Sequence, residues 1–236
     1  MKIRIRFRKL GVMRFIGHLD VMRYFQKAIR RADIDIAYSE GYSPHQIMSF
    51  ALPLGVGVTS DGEYLDIQMN SEIKSKEAID RLNCVMAEGI EITDFIKLPD
   101  DAKKSMAIVG AASYVVTWKD KSIMPFNKEQ IVLLRDSFLS REEINIVKKT
   151  KKSEKLVNIK PMIYKLNINC DDKLSNLSVE MITSAGSENN LKPELVIESM
   201  YNFLNIEFDI NKISIHRREL LTSDLIPLKD LGEIIE

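Results

Sequence analysis

Cysteine is scarce in this chain: Cys84 and Cys170 are the two among 236 residues. Two thiols so far apart make neither a disulfide framework nor a CxxC zinc site, and they cannot supply the three ligands of an iron–sulfur loop. They read as buried thiols of a reducing compartment. Charge of one sign is also lacking, with 34 Lys plus Arg against 34 Asp plus Glu. That balance argues against a uniformly basic nucleic-acid coat and against an acidic tail protein. Long apolar runs are absent too. The longest, Met106 to Trp118, is interrupted by Gly110, Ser113 and Tyr114 and falls short of the ~20 residues that span a bilayer. The N-terminus alternates charged with apolar residues, Lys2-Ile3-Arg4-Ile5-Arg6-Phe7, and so has no signal-peptide stretch. The expectation is a soluble, cytoplasmic protein with no membrane partner. What is present, 45% hydrophobic and 29% charged residues, excludes disorder throughout and suits one large domain or two small ones.

The zero sum hides a polarity. Residues 1 to 31 carry ten Lys or Arg and one acid, Asp20, so this segment is +9 and the other 205 residues are −9. Residues 2 to 8 alternate strictly, with Ile3, Ile5 and Phe7 on one face and Lys2, Arg4, Arg6 and Arg8 on the other, the period of a half-buried strand. Its solvent face is predicted to be entirely basic. From His18 to Asp33 the spacing predicts a helix, with Val21, Met22, Phe25, Ala28, Ile29 and Ala32 inward and Arg23, Lys27, Arg30 and Arg31 opposite. With Arg14, and with Tyr24, Tyr38 and Tyr42 nearby, these faces have the makings of an RNA surface: cations along a phosphate backbone and aromatic rings under bases. No DNA specificity is expected. The other reading of the same residues is an ordinary surface in which the arginines pair with the acidic remainder. A second basic run, Lys148 to Lys155, reads as a hairpin tip.

Further along, Ile34 to Tyr38, Ile47 to Ala51, Glu63 to Met69 and Ile90 to Leu98 read as strands, with a turn at Ser39 to His45 and an amphipathic helix at Lys74 to Glu88. Pro99-Asp100-Asp101 punctuates the chain. The pattern then restarts: a strand at Ala112 to Trp118, and a helix from Asn127 with a capping box to Gln130. Strands follow at 143–149, 156–160, 162–169 and 177–183, then a helix opened by Pro193 and a last strand from Ile213 to Leu220. The expected class is α+β, two ferredoxin-like (split β-α-β) units in tandem with helices on one face of antiparallel sheets, residues 1–104 and 105–236.

The block from Arg14 to Glu63 contains Gly17-His18-Leu19-Asp20, Arg30-Arg31-Ala32, Ser39-Glu40-Gly41-Tyr42-Ser43-Pro44-His45, Leu52-Pro53-Leu54-Gly55 and Ser60-Asp61-Gly62-Glu63. In order and spacing it resembles a bacterial family of unknown function, the radical-SAM-associated or radical-SAM-linked proteins. Val157-Asn158-Ile159-Lys160-Pro161-Met162-Ile163 is similar to a second, weaker family segment. Gly17 stands where the family has Ser, and Tyr42 and Ser43 where it has Phe and Asn. The resemblance implies a radical-SAM partner of the cobalamin-binding kind, and a gene neighbourhood of ribonuclease G/E and ribosomal proteins that points to RNA or ribosome maturation. The chain cannot bind the radical-SAM cluster itself, having two cysteines, so no intrinsic cofactor is expected.

The same block carries other groups with chemical potential. In Gly55 to Glu63, Ser60 stands where a dinucleotide fingerprint needs its last glycine and Glu63 where a P-loop needs lysine, so the segment reads as a turn with positive φ. His18, Asp20, His45 and Glu63 have the side chains of metal ligation or general acid–base work. His18 and His45 are the metal candidates, on the expectation that the Ser39 to His45 turn folds over the helix start. Asp20 lies on another face of the helix and most simply pairs with Arg23 or Lys27. The leading expectation is an RNA-binding accessory protein presenting an RNA or ribosomal substrate to a radical-SAM partner. The alternatives are an RNA-processing or metal-assisted enzyme using His18, His45 and Asp20, and a protein adaptor that binds no nucleic acid.

Overall fold

The computed structural model describes residues 1–120, 125–149, 154–170, 177–187 and 189–236. The chain divides into two compact units, residues 1–111 with 217–236, and residues 112–216. The punctuation after Pro99 predicts a single crossing near residue 104, whereas the last twenty residues return to the first unit.

The first unit runs β1 (Lys2–Lys9), a 3-10 turn (Gly11–Phe15), α1 (His18–Arg31), β2 (Met48–Phe50), β3 (Thr59–Gln68), α2 (Ser75–Val85), β4 (Ile90–Lys97) and the short α3 (Ser105–Ile108). Helix α1 forms where the apolar spacing predicts it. Val21, Phe25, Ala28 and Ile29 are buried, Asp20 sits in the first turn, and Arg30 and Arg31 sit in the last, all favourable to the helix dipole. β1 lies between β3 and β4, antiparallel to both, and β2 is antiparallel to β3. Ile3, Ile5 and Phe7 of β1 join Phe25 and Ile29 of α1, Leu65 and Ile67 of β3, and Leu82 of α2 in one buried cluster.

Two sequence expectations are corrected here. The segment 34–38 is not a strand but a loop with isolated bridges at Ile36 and Tyr38. Thr59 to Gly62, read as part of a glycine turn, belongs to β3. The positive φ sits earlier, at Gly57 (+88°).

The second unit contains β5 (Ala111–Trp118), α4 (Lys128–Leu133) continuing as a π-turn (Leu134–Phe138), β6 (Asn145–Lys149), β7 (Glu154–Asn158), β8 (Ile163–Asn169), β9 (Ser178–Ser184) and α5 (Pro193–Phe203). The capping box that starts α4 is present: Gln130 N donates to Asn127 Oδ1 at 2.8 Å and Asn127 N to Gln130 Oε1 at 2.9 Å. β6 and β7 pair as an antiparallel hairpin. Of the basic run at its end, residues 150–153 lie outside the described residues. β10 (Ile213–Leu221) starts in the second unit and ends in the first, where β11 (Glu233–Ile234) pairs with β4. The fold class is mixed α+β with few helices, and β1–β3, β1–β4, β4–β11, β2–β3, β6–β7 and β8–β9 all pair antiparallel. Among the described residues no helix is long and apolar enough to cross a membrane.

Candidate nucleic-acid interface

The arginines of β1 do not face solvent as the alternation predicts, because the chain lays acids beside them and the 217–236 return covers them. Arg4 is 1% exposed. Its Nε and Nη2 donate to the two carboxylate oxygens of Asp66 at 2.8 and 3.1 Å, and Nη1 reaches the Leu228 carbonyl at 3.2 Å. The bond pattern follows from register, since Arg4 stands opposite Asp66 across the β1–β3 ladder. Arg6 contacts Glu219 at 3.0 Å and Asp94 at 3.4 Å. Arg8, more open, reaches Glu91 at 3.0 Å and Asp61 at 3.5 Å. A polynucleotide cannot reach Arg4, and Arg6 and Arg8 already face carboxylates. The strand half of the predicted RNA surface is thus a paired charge ladder, buried at Arg4 and opening towards Arg8.

Charges this deep perturb one another. Burial works against the Arg6 cation, but Glu219, Tyr64 and Asp94 outweigh it and hold its pKa above the ordinary value. Burial pushes the Glu219 carboxyl up, opposed by the hydrogen bond from Tyr64 and by the charge of Arg6. Tyr64, which donates to Glu219 Oε1 at 2.6 Å, is likewise raised by burial and then by that carboxylate.

Glu63, a candidate acid–base residue, is 4% exposed and committed to Arg217, whose Nε donates to Oε1 at 2.8 Å. Arg217 also donates to the Leu52 carbonyl at 2.9 Å. Lys9 is buried beside this pair and donates to the Ile16 carbonyl at 2.7 Å. Burial lowers its pKa, Glu63 opposes that, and Arg217 adds to it. Lys9, His18 and Glu63 line one cavity of about 20 Å³ with Phe50, Pro53 and Leu54, so the block carrying the family resemblance does converge. The space suffices for one water and for no substrate.

The histidines separate. The His18 ring stands edge-on to Phe50, with centroids 5.3 Å apart. His45 closes its own turn: its Nδ1 lies 2.8 Å from Ser39 Oγ, and its backbone N–H donates to the same oxygen at 3.1 Å. His45 does not line the His18 cavity. Asp20 is exposed and 3.5 Å from Arg23. Among the described residues no group of three or more His, Cys, Asp or Glu is placed to hold a metal ion.

The helix half of the predicted surface stays open. Arg23, Lys27 and Arg30 are exposed along α1, and Lys27 has no side-chain partner among the described residues. Arg30 donates only to a backbone carbonyl, that of Gln26 at 3.3 Å. Arg31 turns towards α2 and donates to the Val85 carbonyl at 3.1 Å. On one flank the Gln46 amide reaches Gln26 O at 3.3 Å and so seats the Tyr38 to Gln46 turn beside the helix, with Tyr42 wholly exposed. At the N-terminal end, Arg14 lies over the Phe15 ring at 4.7 Å, and Phe15 and Leu19 are exposed. Cations along α1, the exposed Tyr42 ring beside it and the stacked Arg14–Phe15 pair before its start thus surround one helix.

Sequence reasoning missed Lys9, Asp66, Arg217 and Glu219. A signal existed for the last two. In the alternating strand Ile213-Ser214-Ile215-His216-Arg217-Arg218-Glu219, both charges fall in phase with Ile213 and Ile215, a phase that is buried through Arg217 and half-buried at Glu219, and buried charges need partners.

The family model described as an uncharacterized protein conserved in bacteria (DUF2344) matches residues 2–193. No curated protein matches significantly. Among solved structures the chain is similar to one from a crystal structure of a Cbf5-Nop10-Gar1 complex, with 10% identity and a TM-score of 0.49, over 92% of this chain and 48% of that one. This chain therefore spans about half the length of that one.

Proposed function

For a chain that belongs to the DUF2344 family of uncharacterized bacterial proteins, we propose an RNA-binding accessory role, with α1 as the contact surface and a radical-SAM protein of the cobalamin-binding kind as partner. The observation that carries it is the row Arg23, Lys27 and Arg30, left without carboxylate partners except for the 3.5 Å approach of Asp20 to Arg23, while the neighbouring β1 arginines are neutralised. Tyr42 and the Arg14–Phe15 pair supply stacking faces at its flank and end. The radical-SAM partner, and a role in RNA or ribosome maturation, rest on the sequence resemblance of residues 14 to 63. The two cysteines leave cluster chemistry to that partner. The platform we infer is ferredoxin-like in both units. The order β4-β1-β3-β2 in the first, with α1 and α2 between strands, supports it.

The test is binding of a fluorescent single-stranded RNA at several salt concentrations. Four contacts (Arg14, Arg23, Lys27, Arg30) give a slope of log affinity against log salt of about −2.8, or roughly fifty-fold weaker binding at 200 than at 50 mM. Changing Arg23, Lys27 and Arg30 together to Ala should bring the slope to about −0.7 without altering the circular dichroism. An unchanged slope in that variant, or no binding at low salt, rejects the reading.

A second reading, a protein adaptor, is favoured by one observation: Val12, Phe15, Leu19 and Val56 are all more than half exposed near the start of α1. Partner association that survives nuclease treatment and the triple substitution but is lost in Phe15→Ala would select it.

A further inference from the structure

The loop between β4 and α3 lies beside β1 and the β2–β3 pair and forms with them a half-open cavity of about 150 Å³. Its walls are fixed from two sides. Lys2 Nζ donates to the carbonyls of Asp100 and Ala102 at 2.5 and 2.9 Å, and Asp66 accepts from the backbone N–H of Ser105 at 2.6 Å. The lining combines Ile47, Met48 and Leu98 with Lys103 and Lys104. Both of these lysines are exposed and have no side-chain partner among the described residues. The one carboxylate in the lining, Asp66, is neutralised by Arg4, and Asp100 and Asp101 do not line the cavity. The chamber is therefore apolar within and cationic at its rim. Its volume is that of a cavity able to hold one six-membered ring (~150 Å³), and small-ligand sites are typically apolar pockets with a few placed polar groups.

We propose that this cavity binds a small anion carrying a ring-sized body, the ring among Ile47, Met48 and Leu98 and the anionic group on Lys103 and Lys104. A pyrimidine mononucleotide and an aromatic carboxylate share that chemistry. The site is separate from the α1 surface and does not depend on the RNA reading.

Calorimetric titration of the full chain with uridine 5′-monophosphate, benzoate, uridine and inorganic phosphate tests it. Saturable binding of the monophosphate or the benzoate, with a dissociation constant on the order of 1 mM or tighter, is expected. Uridine and phosphate alone should bind at least about tenfold more weakly. Whichever of the first two saturates identifies the anion source. In Lys103→Ala/Lys104→Ala, which changes only exposed side chains, binding should fall at least about tenfold. In Ala102→Leu, which fills the chamber, it should vanish. No saturation by either ring-bearing anion, equal binding of uridine or phosphate alone, or full binding by the double lysine variant overturns the proposal.

Discussion

Glu63 and Arg217 stand 154 positions apart and meet in the interior with Lys9 beside them. The three charges sum to +1, and that sum decides which change harms more. Glu63→Gln leaves two buried cations with no anion, whereas Arg217→Met leaves Lys9 and Glu63 to balance each other. Breaking a buried pair costs ~3–5 kcal/mol, so Glu63→Gln should fall at the upper end of that range in urea unfolding and Arg217→Met at the lower end. The double variant Glu63→Leu/Arg217→Met, which leaves Lys9 as a single unpaired cation, should regain part of the loss of Glu63→Gln but not of Arg217→Met. Equal losses for the two single variants would mean that Lys9 is not coupled to the pair. At this scale residue type was legible and partnership was not: Glu63 has the side chain of an acid–base catalyst, and only its depth and its arginine show it to be a structural anion. Glycine was similarly half-legible. Gly57 has the positive φ that the glycine-rich run suggests, but Gly62 is needed for space, since a Cβ there would lie 2.6 Å from Glu219 Oε1 and 2.8 Å from the Arg218 carbonyl.

Among elements, periodicity located most helices and strands because burial and period coincide there. α1 buries Val21, Phe25, Ala28 and Ile29 of the residues its wheel puts inward, with Met22 half-buried, and the Asn127–Gln130 pair starts α4. Residues 34–38 form a loop because Ile34, Ile36 and Ala37 sink into the core without a continuous ladder, which serves so short a stretch equally well. The outer edge of β4 shows a device no periodicity reveals. β11 covers only its end, at Ile96 and Lys97, and the Asn83 side chain serves Ile92 further along. Asn83 Oδ1 accepts from Ile92 N at 2.8 Å, and its amide donates to Ile92 O at 2.9 Å. One side chain thus stands in for a strand residue at an edge that would otherwise invite pairing. Asn83→Ala should lower stability by ~2–4 kcal/mol, two unsatisfied groups at ~1–2 each, and speed hydrogen exchange at Ile92. Asn83→Asp, which keeps the acceptor, should lie between. Unchanged exchange at Ile92 in the alanine variant would count against the edge role.

Over the whole molecule, the +9 of the first 31 residues divides into two fates that the sequence total could not separate. The β1 arginines are met by Asp66 from β3, Asp94 and Glu91 from β4 and Glu219 from β10, so a strand face that reads as free and solvated is paired along its length and buried at Arg4. Of the α1 cations only Arg23 has a carboxylate near it among the described residues, Asp20 at 3.5 Å, and both are exposed, so this row remains a surface. What separates the fates is the return of 217–236, which carries Arg217 and Glu219 and lays Leu228, fully buried, against Arg4. A chain ended after Thr222 keeps those two charges but loses Leu228, its carbonyl bond to Arg4, and the pairing of Ser75 with Ile235. Loss of one buried leucine alone costs ~2–5 kcal/mol, against a typical total of ~5–15. The shortened chain should therefore unfold at much lower urea, and proteases should cut it in β1 and β3, whose arginine face it uncovers. If its urea midpoint matched that of the full chain, the charge ladder would be holding without its cover, and Arg4 and Arg6 would again be open to a polyanion.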